Sequence, residues 1–210
     1  MNSLAVVVPV KSSGQKSRLS GVLPADDRRR FSELLLAEVL DALGKARLLG
    51  VSHVVSSDTR ALQFAKQRGA GAIAEPRDAG VDSAVMRGVR EAGSPESVLV
   101  LPSDLPFIKA SEIRHILDLG AVGLGVVLVP SATYDGTNAL LFRPGSGYRL
   151  SYDNDSFWNH LKRGAEKGLS IGVSSEPGLM FDVDSPADFG LLAGSSSGGA
   201  PAVFARKARR

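Results

Sequence analysis

Apolar residues along the chain fall into short continuous runs, separated by polar loops and by longer segments with helical spacing. Runs of this length, rich in Val, Leu and Ala, are typical of strands buried on both faces of a sheet. The runs predict strands over Leu4–Val10, Val51–Val55, Ala70–Ala74, Val98–Leu101, Leu124–Val129, Asn138–Phe142, Leu169–Val173 and Met180–Val183.

The segments between these runs predict helices. A long helix follows Pro24, because Leu35, Val39 and Leu43 recur at helical spacing. The last helix begins after Ser185, a favourable cap followed directly by proline. Further helices are predicted over Thr59–Arg68, Ser83–Ala92, Ser111–Leu119 and Phe157–Lys167. Strands that alternate with helices predict an α/β fold, with a mostly parallel sheet and helices on both faces.

Composition narrows the function classes. The 210 residues, of which 43% are hydrophobic and 22% charged, fit one globular domain with a full core. The absence of cysteine excludes disulfides, thiolate metal sites and a cysteine nucleophile. The three histidines, His53, His115 and His160, lie too far apart for a zinc hydrolase motif.

The net charge of +3 comes from the C-terminal end of the chain. Residues 193–210 contain Arg206, Lys207, Arg209 and Arg210 but no acid, so the remainder has 21 basic and 22 acidic residues. A nearly neutral remainder argues against nucleic-acid binding. Because residues 194–201 are rich in glycine and serine, the sequence predicts a folded domain over 1–193 and a flexible basic tail over 194–210.

No apolar stretch is long enough to cross a bilayer, and the run Leu4–Val10 is too short for the core of a signal peptide. We therefore expect a cytoplasmic protein with no membrane partner.

Open α/β sheets bind ligands beyond the carboxyl ends of their strands, which directs attention to the loops after Val10, Leu101 and Val183. The first loop contains Lys11, Lys16 and Arg18. Three cations beside the small residues Ser12, Ser13 and Gly14, whose backbone allows close approach, suit a triphosphate. A solvated surface loop is the alternative, since the loop matches neither the P-loop nor the G-x-G-x-x-G pattern.

Acidic residues occupy the other two loops. Asp104 follows a buried strand between two prolines, and Asp182 and Asp184 lie two residues apart, so an extended chain projects them to one face. Two carboxylates aimed together repel unless a cation or a proton lies between them, and hard oxygen ligands suit Mg²⁺. Helix capping is the alternative for both loops, although Ser111 is a separate candidate cap after Asp104.

Two further segments offer polar groups. Thr137 and Asn138 precede an apolar strand and suit a phosphate or carboxylate, although a polar turn is the simpler interpretation. Ser156 begins a predicted helix, where it and the first N–H groups are able to hold a phosphate. His160, one turn later, is more often a structural helix residue than a catalyst.

Taken in order, these segments resemble one family, the 2-phospho-L-lactate guanylyltransferases of coenzyme F420 biosynthesis, which include phosphoenolpyruvate guanylyltransferases. The resemblance runs from about Val6 to Leu192. It rests on Val8-Pro9-Val10-Lys11 with Lys16-Ser17-Arg18-Leu19, Leu101-Pro102-Ser103-Asp104-Leu105-Pro106, Thr137-Asn138-Ala139-Leu140-Leu141, Ser156-Phe157-x-x-His160 and Asp182-Val183-Asp184-Ser185-Pro186.

The resemblance implies a Rossmann-like nucleotidyltransferase domain of the GT-A/MobA-like type, with GTP as donor, Mg²⁺ as cofactor, a small phosphorylated carboxylic acid as acceptor and a homodimer. It assigns the metal to Asp104, Asp182 and Asp184. It assigns nucleotide phosphates to Lys11, Lys16 and Arg18, with Ser12 and Gly14 in the same loop, and the acceptor phosphate to Thr137, Asn138 and Ser156.

Two departures from the family pattern bear on specificity. Glu75-Pro76 is followed by Asp82 where the family often has an asparagine, and both acids are candidate contacts for the base. Tyr152-Asp153 stands where the family commonly has Phe-Gly before Ser-Phe. The acceptor stays open between 2-phospho-L-lactate, phosphoenolpyruvate and 3-phosphoglycerate. The rival interpretations are a molybdopterin or sugar-phosphate nucleotidyltransferase and a nucleotide-binding regulatory protein without turnover.

Overall fold

The computed structural model of the chain describes residues 3–11, 16–196 and 199–209. Within these residues a single seven-stranded sheet has the order β3-β2-β1-β4-β6-β5-β7. Its strands are β1 (Leu4–Pro9), β2 (Ser52–Ser56), β3 (Gly71–Ala74), β4 (Ser97–Val100), β5 (Val126–Pro130), β6 (Thr137–Phe142) and β7 (Ile171–Val173). The predicted strands are confirmed with one exception, and so is the mostly parallel α/β sheet.

One strand runs against the others. The pairs β1–β2, β2–β3, β1–β4 and β5–β7 are parallel, whereas β6 is antiparallel to both β4 and β5. Val100, at the carboxyl end of β4, pairs with Leu140. The first residues of β6, Thr137 and Asn138, therefore lie at the carboxyl edge of the parallel strands, where ligands bind in such sheets.

Helices cover both faces of the sheet. They are α1 (Ala25–Lys45), α2 (Thr59–Gln67), α3 (Val81–Glu91), α4 (Ala110–Ala121), α5 (Ser156–Glu166), α6 (Pro177–Met180), α7 (Pro186–Gly194) and α8 (Ala200–Ala208), with 3-10 turns at Ser17–Leu19, Leu49–Val51 and Pro144–Ser146. Because side chains alternate along a strand, Val6 and Val8 pack with α1, α2 and α4, while Val7 packs with α3 and α5. No helix among the described residues combines the length and apolarity that a bilayer span requires.

The C-terminal end contradicts the predicted flexible tail. Residues 200–208 form α8, in which Ala202 and Ala205 are buried against α1 and α7. Phe204 stacks on Phe31 of α1 with 5.6 Å between ring centroids. Small apolar residues at helical spacing give α8 a packing face, so the Gly/Ser-rich stretch before it is a linker between two packed helices rather than the start of a tail.

Two local predictions are also wrong. The segment Met180–Val183 is not a strand: Pro177 begins the short helix α6, and the chain then runs without sheet pairing. Val183 is fully buried, and its N–H donates to the carbonyl of Asp104 at 3.3 Å. Helix α4 begins before Ser111, with Lys109 at the N-cap, whose backbone N–H donates to Glu112 Oε2 at 3.1 Å.

Candidate active site

A cleft of about 790 Å³ lies at the carboxyl edge of the parallel strands. It brings together ten residues that the sequence predicts for the site: Lys11, Lys16, Arg18, Glu75, Asp104, Thr137, Asn138, Ser156, Asp182 and Asp184. Asp82 is not among its lining residues. Ser12 and Gly14, the remaining predicted phosphate contacts, lie outside the described residues.

Three carboxylates form the centre of the cleft. One oxygen each from Asp104, Asp182 and Asp184 lies within 4.8 Å of the others. Asp104 lies in the loop after β4, which ends at Val100. Val183 is buried, so Asp182 and Asp184 on either side of it project in the opposite direction, toward Asp104. Ligands of one Mg²⁺ are separated by at most about 4 Å, so small side-chain adjustments would let the three share an ion.

The charges in this cluster fit a cation. Burial, and next the charge of Asp104, raise the pKa of Asp182 to about 6, against a hydrogen bond from Asn138 that lowers it. Asn138 Nδ2 donates to Asp182 Oδ1 and to the carbonyl of Met180, both at 3.0 Å. Asp104 Oδ1 is buried without a hydrogen-bond partner among the described residues. An unpaired buried carboxylate oxygen beside a second carboxylate suits a hard divalent cation.

Lys16 supplies positive charge to the same cluster. Its Nζ lies 2.7 Å from Asp104 Oδ2 and 2.9 Å from Asp184 Oδ1, and its side chain is only 10% exposed. Burial alone would lower the pKa of Lys16, but the two carboxylates outweigh it and the net shift is upward. For Asp184 burial opposes ionisation, yet Lys16 and Arg18 hold its pKa below the usual value. The structure thus places Lys16 on the carboxylates, as their counter-charge.

The other two cations line the cleft with less burial. Arg18 is 76% exposed, and its Nη1 lies 3.8 Å from Asp184 Oδ2. Lys11 is also exposed, close enough to Asp184 to lower the pKa of that carboxyl. Both ammonium and guanidinium groups remain accessible to an anion that enters the cleft.

The half of the cleft lined by the loops after β1 and β3 and by the start of α3, called here the nucleotide half, includes Glu75 directly after β3. Its backbone N–H donates to Ser56 at 2.9 Å, which fixes the start of the loop. Burial and the nearby Asp78 raise the pKa of the Glu75 carboxyl, while Arg87 opposes the shift. Asp82, in the first turn of α3, instead accepts a hydrogen bond from the Tyr152 N–H at 2.9 Å.

The opposite half, called here the acceptor half, consists of the start of β6 and the N-terminus of α5. Thr137, Asn138 and Ser156 are all buried, with exposures of 6%, 5% and 5%. Asp155 at the N-cap of α5 has a φ of 57° and makes no side-chain capping bond. An uncapped helix N-terminus beside two hydroxyl groups is suited to a phosphate.

Tyr152 and His160 are neighbours of this half that the sequence did not assign to the site. Tyr152 lines the cleft, and its ring meets the edge of the His160 ring with 4.7 Å between centroids. The sequence feature that could have assigned Tyr152 to the site is the pair Tyr152-Asp153, which stands where the family commonly has Phe-Gly. His160 is fully buried, in agreement with its interpretation as a structural residue.

Comparison with known proteins gives the same family over nearly the whole chain. A family model described as "Guanylyl transferase CofC like" matches residues 4–209. A phosphoenolpyruvate guanylyltransferase of Rubrobacter xylanophilus is 36% identical over 200 residues, which cover 94% of this chain and 96% of the relative. A 2-phospho-L-lactate guanylyltransferase of Methanosarcina acetivorans is 31% identical over 206 residues, covering 98% and 94%.

Two solved structures with the same fold are named as nucleotidyltransferases. A nucleotidyl transferase from Methanothermobacter thermautotrophicus superposes with a TM-score of 0.68 at 17% identity, over 99% of this chain and 100% of the other. A cytidylyltransferase from Leptospira borgpetersenii gives 0.63 at 14% identity, over 99% and 93%. At these identities the likeness concerns the fold, and it confirms the predicted Rossmann-like nucleotidyltransferase architecture.

Proposed function

The chain belongs to the family of CofC-like guanylyl transferases, and from this premise we propose that it transfers GMP from GTP to the phosphate of a small phosphorylated carboxylic acid. Phosphoenolpyruvate is the proposed acceptor, since relatives of that name reach 36% identity and those named for 2-phospho-L-lactate reach 31%. The product would belong to coenzyme F420 biosynthesis, as in that family.

The observation that supports this function best is the position of the three carboxylates between the two halves of the cleft. Asp104, Asp182 and Asp184 would hold Mg²⁺, which when bound neutralises phosphate charge. A site that joins two anions needs such charge at the point where they meet. The rival without turnover needs nucleotide affinity alone and gives no reason for a second, buried polar half.

The proposed reaction forms one bond and breaks one. An oxygen of the acceptor phosphate attacks the α-phosphorus of GTP, and the bond from that phosphorus to the bridging oxygen of the β-phosphate breaks, so that pyrophosphate leaves. A phosphate monoester is largely ionised at neutral pH because its second pKa is about 6. The chain therefore needs no general base, and the cleft lining contains no histidine among the described residues.

The roles of the cations follow from their exposure. Lys11 and Arg18 remain accessible in the cleft and would contact the triphosphate, while Lys16 is buried on Asp104 and Asp184. Positive charge at these positions offsets the negative charge that builds up on the α-phosphate and the leaving pyrophosphate. Orientation of the two substrates by fixed groups supplies the remainder of the acceleration.

Guanine selectivity would come from Glu75. The Watson–Crick edge of guanine carries two N–H donors side by side, and a carboxylate accepts from both. Adenine and the pyrimidines do not offer that pair. Glu75 lies in the nucleotide half, at the end of β3, where a base would lie if the triphosphate contacts the loop after β1.

The test is pyrophosphate release from four nucleoside triphosphates, each combined with phosphoenolpyruvate, 2-phospho-L-lactate, 3-phosphoglycerate or, as the rival acceptor, a sugar phosphate. We expect release with GTP and phosphoenolpyruvate, and its loss when EDTA removes divalent cations. Nucleotide binding without release from any pair would instead support the regulatory rival. Release with a sugar phosphate but no phospho-acid would move the chain to the sugar-nucleotide class.

A further inference from the structure

A chain of hydrogen bonds runs through the interior behind the acceptor half. The backbone N–H of Ser151 donates to Nε2 of His160 at 2.9 Å. The other ring nitrogen, Nδ1, lies 2.9 Å from the hydroxyl oxygen of Thr137. All three residues are buried, and Thr137 lines the cleft.

The direction of this chain follows from the Ser151 amide, because a backbone N–H only donates. Nε2 of His160 must therefore be an unprotonated acceptor, and a neutral imidazole then has its proton on Nδ1. The ring stays neutral because burial, and next the charge of Arg163, lower the pKa of His160 to about 4. Nδ1–H consequently donates to Thr137 Oγ1.

A second donor reaches the same oxygen. Ser156 Oγ lies 3.4 Å from Thr137 Oγ1 in a geometry in which Ser156 donates. With Oγ1 accepting from His160 and Ser156, both of its lone pairs are engaged. The hydroxyl proton of Thr137 has no acceptor among the described residues in the interior, so it points into the cleft.

We propose that His160 is a positioning residue: through its tautomer it fixes the Thr137 hydroxyl as a donor toward an ionised oxygen in the acceptor half. Naming that oxygen as part of the acceptor phosphate rests on the proposed function. An ionised phosphate oxygen only accepts, and its hydrogen bond from Thr137 is charge-assisted, whereas a neutral hydroxyl oxygen accepts the same proton in a weaker bond. The arrangement thus favours a phosphate over a neutral hydroxyl.

The competing explanation is that His160 only anchors the loop before α5. The ring accepts from Ser151, its carbonyl accepts from the Tyr148 hydroxyl at 3.1 Å, and Tyr152 packs on its edge. The two explanations assign the important bond to different ring nitrogens. They can therefore be separated by substitutions that keep one nitrogen position and lose the other.

The first measurement reads the tautomer directly. Nitrogen-15 NMR of the whole protein resolves the ring nitrogens of its three histidines, and the signals missing from His160→Gln identify those of His160. We expect protonated Nδ1 and unprotonated Nε2 at neutral pH. A proton on Nε2 would overturn the proposal, whether or not the chain transfers GMP.

The second measurement uses a matched pair of variants. In His160→Asn the amide nitrogen takes the place of Nδ1 and still donates to Thr137, whereas in His160→Gln the amide takes the place of Nε2 and keeps only the contact with Ser151. Binding of inorganic phosphate and of phosphoenolpyruvate is followed by calorimetry. Positioning predicts about tenfold weaker binding in His160→Gln and a smaller loss in His160→Asn. Loop anchoring predicts the reverse order, which would overturn the proposal.

A double-mutant cycle with Thr137→Val, which removes the hydroxyl but keeps the shape, tests whether His160 acts through Thr137. We expect Thr137→Val to weaken phosphate binding by about tenfold and to abolish the further effect of His160→Gln. The KM for GTP should stay unchanged in all variants. Losses that multiply in the double variant would show two independent roles and contradict the inference. Failure of the proposed function would appear elsewhere, as absence of pyrophosphate release from the wild type.

Discussion

The two halves of the cleft differ in how they are built. The nucleotide half presents long charged side chains on loops after parallel strands, and Lys11 and Arg18 are exposed there. The acceptor half presents short polar side chains at the start of an antiparallel strand and of a helix, each at most 6% exposed. Exposed charges attract a large anion without fixing its orientation, whereas buried directional hydrogen bonds orient a small one. The difference indicates recognition by charge on one side and by geometry on the other.

The largest effect is expected where the halves meet. Asp104→Asn keeps the size of the side chain and removes a charged ligand, so turnover should fall by about 10² to 10³, as when one charge-stabilising group is lost. The KM values for both substrates should change less than turnover. Steady-state pyrophosphate release checks this, and Asp118→Asn, a change at an exposed residue of α4 away from the cleft lining, is the control. Turnover close to wild type would remove Asp104 from the metal site.

The next largest effect is expected on the stability of the metal-free protein, whose pH dependence follows from the raised pKa of Asp182. The folded-state pKa of about 6 lies above the usual 3.8, so ionisation of Asp182 opposes folding as pH rises through this window. Asp182→Asn should therefore unfold at the same temperature as wild type near pH 4 and at a higher temperature above pH 6. The corresponding gain in the free energy of unfolding is up to about 3 kcal/mol. Thermal melts in EDTA measure the difference.

The matched control for that melt is Asp184→Asn, because the pKa of Asp184 is lowered and its ionised form favours folding. Its stabilising contribution is present above the unfolded pKa and is lost as pH falls through the folded one. Asp184→Asn should thus be less stable than wild type at neutral pH. Shifts of the same sign in both variants would contradict the electrostatic description of the cluster.

A change confined to the nucleotide half should leave the other half unaffected. Glu75→Gln replaces one accepting oxygen by a donor, so we expect the preference for GTP over ITP, which lacks the 2-amino group, to fall by about tenfold to a hundredfold. The KM for phosphoenolpyruvate should not change. Glu91→Gln, at the far end of α3, is the matched control. An unchanged GTP preference would assign base recognition to another residue.

The smallest effect lies outside both halves. Phe204→Ala removes the ring that stacks on Phe31, so the free energy of unfolding should fall by about 1–2 kcal/mol while both KM values stay constant. Val203→Ala, at a neighbouring exposed position of α8, should be nearly silent. A melting temperature unaffected by Phe204→Ala would support the flexible tail that the glycines and serines predict.

The sequence predicted what local patterns determine. Apolar runs located all seven strands, and the end of the fourth strand located Asp104. The extra strand expected at Met180–Val183 is absent, because apolar residues there pack inward from an irregular segment. Apolar content alone does not distinguish a buried strand from an irregular segment whose apolar side chains are buried.

What the sequence did not predict depends on tertiary contacts. No pattern reveals that β6 runs against its neighbours, that Lys16 folds onto Asp104, or that Asp82 supports Tyr152. The sequence did not predict α8 as a packed helix, because the basic residues in it and the glycines before it indicated a flexible tail, whereas Ala202 and Ala205 are buried. The hydrogen-bond direction at His160 follows from a backbone amide nine residues away, a distance that helical periodicity does not cover.

The pairing of Lys16 with Asp184 joins positions separated by 168 residues, and β1 pairs with β4 across more than ninety. Contacts so distant in sequence are slow to form, because the intervening chain must close a long loop first. A ribosome releases the N-terminal segments first, so Asp104 and Lys16 emerge well before the last two carboxylates. The charge balance at the centre of the cleft therefore becomes complete only when synthesis is nearly over. A chain arrested earlier has the strands of the nucleotide half but lacks Asp182 and Asp184, and so cannot form the cluster of three carboxylates.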